Sequence, residues 1–137
     1  MGFNILIVDD SDIIRSMIAR TIRMAGVPVG SLLFAENGAR GLELLNSNSV
    51  DLVFADINMP VMDGVRMIEN MHAHEALCNV PVVVISTEGS ESKIEKLYEY
   101  GVAAFIRKPF TPEMIRGAIV DVLGEWDESP ELPTDSF

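Results

Sequence analysis

Short, unbroken apolar runs alternate along this chain with longer segments in which apolar residues return every three or four positions. Few folds satisfy that alternation. A continuous apolar strand is buried on both faces, which happens when helices cover both sides of a parallel sheet. Five such runs occur: Phe3 to Val8, Leu32 to Ala35, Leu52 to Ala55, Val80 to Ile85 and Val102 to Ile106. Each is bounded by polar or turn residues and reads as a buried strand. After the first, Ile14, Met17, Ile18, Thr21, Ile22 and Ala25 form one helical face that Gly26 and Pro28 terminate. Further helices are predicted over Asn37 to Asn46 (Leu42, Leu44, Leu45), Asp63 to Met71 (Val65, Met67, Ile68) and Glu91 to Tyr100 (Ile94, Leu97, Tyr98), with Gly101 closing the last. The fifth begins after Thr111 as cap with Pro112 in its first position, and carries Met114, Ile115, Ala118, Ile119 and Leu123. The pattern is (βα)5 in the α/β class.

A length of 137 residues suits one core, and 48% apolar residues suffice to fill it. Ten Lys and Arg against 21 Asp and Glu give a net charge of -11, which repels nucleic acid and anionic membranes. A lone cysteine, Cys78, can form neither an internal disulfide nor a cysteine-based zinc site, as in a reducing, cytoplasmic setting. No apolar run reaches the roughly 18 residues of a membrane helix, and MGFNILIVDD is not a signal peptide. From 124 to 137 the chain reads GEWDESPELPTDSF, with five acids, no bases and two prolines. That stretch is predicted to be a flexible acidic tail after a domain over 1–123. Removing its five charges from 21 acids leaves 16 against 10 bases, or -6, so the domain itself is acidic.

In open parallel sheets ligands bind beyond the carboxyl ends of the strands. There the chain places Asp9-Asp10, Asp56-Ile57-Asn58-Met59-Pro60, Ser86-Thr87-Glu88 and Arg107-Lys108-Pro109-Phe110. Carboxylates about 4 Å apart repel by roughly 4 kcal/mol per pair at an effective dielectric of about 20, so three together call for a cation. With oxygen donors alone at these strand ends, Mg2+ or a similar hard ion fits and zinc does not. His72 and His74, two positions apart, point to different faces of a helix and make no metal site with Cys78.

Asp9-Asp10, Asp56 within DINMPVMDG, Ser86 closing VVVIS and Lys108 within KPF stand in order, each at the end of a predicted strand. Over residues 3–123 this constellation resembles the receiver domain of two-component response regulators, specifically the single-domain chemotaxis (CheY-like) type. The resemblance implies a doubly wound, flavodoxin-like fold with a parallel sheet in the order 2-1-3-4-5 and helices on both faces. It implies that Asp56 is the nucleophile that takes a phosphoryl group from a sensor histidine kinase. Asp9, Asp10, Asp56 and the Asn58 carbonyl would hold Mg2+, Lys108 would pair with a phosphoryl oxygen, and Ser86 would donate a hydrogen bond to another. Phe105, three residues before Lys108, stands where the family keeps a switch aromatic. Lacking a hydroxyl, it would be read out by burial alone. The surface of the fourth helix, fifth strand and fifth helix would then dock a flagellar motor switch or another chemotaxis protein. Lys108-Pro109 is implied to be cis. Asn58 and Glu88, two residues beyond Asp56 and Ser86, would tune attack of water on the acyl phosphate and give a short-lived signal.

On this reading the chain is a monomeric phosphoacceptor, not an enzyme acting on other molecules, although it catalyses its own phosphotransfer and dephosphorylation. A phosphorelay intermediate and a stand-alone regulator of an enzyme use the same residues. A small phosphatase with an Asp nucleophile would need a second Asp where Asn58 stands, and a cap domain for which the chain lacks length. No G-x-G-x-x-G or GKS/GKT supplies a nucleotide cradle.

Overall fold

The computed structural model describes residues 2–87 and 89–124. Glu88 and residues 125–137, which include Trp126 and nearly all of the acidic stretch, lie outside the described residues. Strands and helices alternate as β1 (Phe3–Val8), α1 (Asp12–Met24), β2 (Val29–Ala35), α2 (Gly38–Ser47), β3 (Leu52–Ala55), α3 (Gly64–Ala73), β4 (Val82–Ser86), α4 (Glu91–Glu99), β5 (Ala104–Arg107) and α5 (Pro112–Leu123). The strands form one parallel sheet in the order β2-β1-β3-β4-β5. This is the doubly wound order expected, and it puts the reversal between β1 and β3.

The unbroken apolar runs are explained by a core on each side of the sheet. Ile5, Ile7, Leu52, Phe54, Val83 and Ile85 pack with Ile18 and Ile22 of α1 and Ile115 and Ile119 of α5. Leu6, Val8, Val53, Ala55, Val82 and Val84 face the other way, onto Leu45, Met67, Ile68, Met71 and Leu97. Successive strand residues alternate faces, so a strand buried on both sides has no polar position to spare.

All five helices start on capping side chains: Ser11, Asn37, Asp63, Ser90 and Thr111 each accept from a backbone N–H three residues on. Thr111 with Pro112 does so as the sequence indicates. Strand ends shift more. β2 starts at Val29 rather than Leu32, because Val29 pairs with Phe3 and Ser31 with Asn4, the ladder to β1 shifting register across Gly30. β4 starts at Val82 rather than Val80, since the Val80 N–H closes a turn on the Leu77 carbonyl and Pro81 has no N–H. β5 starts at Ala104 rather than Val102, whose N–H returns to the Leu97 carbonyl at the end of α4. Met17, Tyr98 and Met114, assigned by spacing to buried helix faces, are 50%, 48% and 40% exposed. Those positions lie at the margins of their stripes. His72 packs on Tyr100 with ring centroids 5.7 Å apart, while the His74 ring accepts from the Ala76 N–H. Among the described residues no helix is long and apolar enough to cross a membrane.

Candidate functional site: an acidic pocket at the strand ends

Parallel pairing continues one residue beyond three strands, and those three residues are the ones that carry charge. The N–H of Asp9 donates to the Ala35 carbonyl, that of Asp56 to Val8, and that of Lys108 to Ser86. Each side chain is thereby fixed at the carboxyl edge by backbone hydrogen bonds. Val8 is in register with Ala55, which sets Asp9 beside Asp56, and Ser86 is in register with Arg107, which sets it beside Lys108. The carboxylates of Asp9, Asp10 and Asp56 come together, with ligand oxygens within 4.8 Å of one another.

Burial grades the pocket. Asp9 is 2% exposed, Asp56 is half-buried and Asp10 is exposed. Lys108 Nζ stands 3.4 Å from Asp9 Oδ2 and 3.4 Å from Asp56 Oδ2, divided between two carboxylates. The Lys108-Pro109 peptide bond is cis, as anticipated. Asp9 Oδ1 accepts from the Ser11 N–H at 2.9 Å, and its backbone carbonyl accepts from Arg15 Nη1. Asp56 Oδ1 accepts from the Ile57 N–H at 2.6 Å and, at 3.4 Å, from the Asn58 N–H. Burial pushes the Asp9 carboxyl above the usual carboxylate range, and the Asp56 charge adds to the push. The Ser11 N–H and the Lys108 ammonium act against both.

Ser86 is 1% exposed at the end of β4, on the same edge. Phe105, in the middle of β5, is half-buried against the second core. Asn58 is exposed directly after Asp56, and Glu88 is outside the described residues. Asp9, Asp10, Asp56, Asn58, Ser86 and Lys108 therefore share one edge of the sheet, whereas Phe105 lies within β5.

Three further residues shape the site: Gly64, which closes the DINMPVMDG segment, Arg15 and Arg107. Gly64 opens α3 against the Asp56 segment: its N–H donates to the Ile57 carbonyl, and a Cβ there would lie 2.0 Å from the Asp56 carbonyl oxygen. Only glycine permits that approach. Arg15 holds the Asp9 backbone, and Arg107 binds the loop after Ser86. Asp63, the cap residue before Gly64, was the available clue to the first. The other two act on backbone carbonyls that only the fold brings near. In the loop between Asp56 and α3, Val61 adopts a φ of 67°, unusual for a β-branched residue.

The donor set is chemically coherent. Three carboxylates and one ammonium converge, and a charge count this negative in a confined space suits a hard divalent cation held by oxygen. Lys108 alone does not balance them.

Comparison with known proteins agrees with this geometry. The family model described as "Response regulator receiver domain" matches residues 5–120. The chain is 33% identical over 121 residues to a chemotaxis protein CheY homolog of Campylobacter jejuni, covering 88% of this chain and 92% of that protein. It is 32% identical over 124 residues to chemotaxis protein CheY1 of Helicobacter pylori, covering 90% and 98%. The solved structure of CheY4 from Vibrio cholerae superposes with a TM-score of 0.77 at 29% identity, covering 89% of this chain and 99% of that one. The chain thus belongs to the response regulator receiver domain family of two-component signalling and is CheY-like within it.

Proposed function

We propose that this chain is a chemotaxis-type phosphoacceptor that takes a phosphoryl group from the phosphohistidine of a sensor kinase onto Asp56. The supporting observation is Lys108 Nζ, 3.4 Å from both Asp9 and Asp56 at the centre of a three-carboxylate pocket. In the transfer, an Asp56 carboxylate oxygen forms a bond to phosphorus and the P–N bond to the kinase imidazole breaks. The nitrogen keeps the electron pair, and the product is an acyl phosphate. Asp9, Asp10, Asp56 and the Asn58 carbonyl are the residues that would hold Mg2+. When bound, the ion supplies positive charge against the phosphoryl oxygens and the carboxylates around them.

The rest is done by the chain itself. The Ile57 N–H orients the Asp56 carboxylate through Oδ1. Lys108 trades a contact with Asp56 for one with the new anion, acting as a point charge. Ser86, fixed at the end of β4, donates to a phosphoryl oxygen. Modification raises the charge on Asp56 from -1 to about -2 and adds acceptors, so contacts by Ser86 and Lys108 strengthen in that state only. Contacts present in one state alone shift a two-state equilibrium. Phe105 and the α4-β5-α5 surface report the shift to a docking partner, such as a flagellar motor switch. Asn58, beside the acyl phosphate, and Glu88 tune its hydrolysis.

Incubation with Mg2+ and acetyl phosphate should add about 80 Da to the intact protein. The gain should vanish in Asp56→Asn and without Mg2+. Addition to Asp56→Asn at the wild-type level would refute the assignment.

A further inference from the structure

Arg107 takes no part in the chemistry proposed above, yet it holds the loop on which that chemistry acts. It is the exposed last residue of β5 and lies opposite Ser86 in the parallel register. Its Nη1 donates to the Thr87 carbonyl at 3.4 Å and its Nη2 to the Gly89 carbonyl at 3.2 Å. Its Cζ stands 5.5 Å from the centroid of the Phe105 ring, two residues earlier on the same face of the strand. The ring rests against the same loop: a Cβ on Gly89 would fall 3.0 Å from Phe105 Cζ. One guanidinium therefore touches the backbone on either side of residue 88 and the aromatic ring beneath it.

We propose that Arg107 is a positioning residue that latches the β4-α4 loop to Phe105 in the unmodified protein and opposes the loop's movement toward Asp56. The inference rests on the phosphoacceptor reading, because it needs a modified state to oppose. Thr87 follows Ser86 directly, so drawing the Ser86 hydroxyl toward a phosphoryl group carries the Thr87 carbonyl with it. A guanidinium is a rigid planar fork and cannot follow two carbonyls that move apart. Hydrogen bonds already at 3.2 and 3.4 Å weaken steeply on further stretching. The latch contacts thus favour one state over the other, and Phe105 loses its contact with Gly89 as the loop leaves.

Charge alone predicts the opposite sign. Arg107 is a second cation near an anion site, so removing it should weaken binding of a phosphoryl mimic if only its field matters. Removing a latch should strengthen binding, because less conformational work is charged against the ligand. The test is a titration of wild type, Arg107→Ala and Arg107→Lys with beryllium trifluoride and Mg2+, followed by amide NMR. Arg107→Ala should bind about fivefold more tightly. Arg107→Lys, which keeps the charge and loses the fork, should bind at least as tightly as Arg107→Ala. Unchanged or weaker binding in both variants overturns the latch. A second readout needs no ligand: nuclear Overhauser contacts between the Phe105 ring and Gly89 should be present in wild type and weakened in both variants. Their persistence at full strength also overturns it. If wild type takes up neither the mimic nor the phosphoryl group, the phosphoacceptor reading fails, and the ring-loop contacts still decide whether Arg107 couples the two.

Discussion

At the scale of single residues, Asp9 carries the greatest electrostatic cost in the molecule's acidic pocket. It is buried, its neighbours Asp10 and Asp56 are acids, and one shared ammonium faces it. Because burial raises its folded-state pKa, Asp9 holds its proton more tightly in the folded than in the unfolded chain. Its contribution to stability is therefore favourable at low pH and is lost as pH rises from the ordinary aspartate range through its own raised value. In a chelator at neutral pH, Asp9→Asn should be more stable than wild type by about 1 kcal/mol. The difference between the two proteins should shrink as the pH falls, and chemical denaturation at several pH values measures it. A variant less stable than wild type at neutral pH would show that the Ser11 and Lys108 contacts outweigh burial. Asp9, Asp10, Asp56, Ser86 and Lys108 were legible in the sequence because functional side chains in this architecture follow directly on strands. Arg15 and Arg107 were not, since each binds a carbonyl whose position depends on how the chain folds back.

At the scale of elements, α3 is docked by its first residue. Gly64 lets the helix N-terminus meet the Asp56 carbonyl at a distance no side chain allows, and Asp63 caps the same turn by accepting from the Arg66 N–H. Gly64→Ala should cost about 3 kcal/mol in denaturant unfolding, because the clash is with backbone and not with a side chain that can swing away. Phosphorylation from acetyl phosphate should slow as well, since whatever moves α3 moves Asp56. Normal stability in this variant would mean that the helix retreats without strain. The start of α5 was readable from Thr111 as cap and Pro112 after it, because capping is local chemistry. Strand starts were not, at β2, β4 and β5, because a strand begins where its neighbour offers a partner. At β2 the ladder skips Gly30 by a register shift and resumes at Ser31, which pairs with Asn4 despite its polarity.

At the scale of the whole molecule, a chain with a net charge of -11 concentrates three carboxylates at one end of the sheet. Any salt should screen the general repulsion, whereas a cation bound at the pocket should stabilise by mass action on top of screening. Mg2+ should therefore raise the melting temperature more than sodium chloride of matched ionic strength, and the excess should disappear in Asp9→Asn. Equal effects of the two salts would argue against a bound ion. The (βα)5 pattern was legible from hydrophobic period alone. The order 2-1-3-4-5 came only with the family resemblance, because periodicity says which faces are buried and nothing about which strands are neighbours.

The pairing of Lys108 with Asp9 spans 99 positions of chain. During synthesis, the acidic half of the site leaves the ribosome long before its ammonium does. A nascent polypeptide that ends short of β5 carries the aspartates but lacks the strand that completes their pocket. On the phosphoacceptor reading proposed above, competence to signal would thus arrive with the last strand, and half-made copies would not drain phosphoryl groups from a kinase.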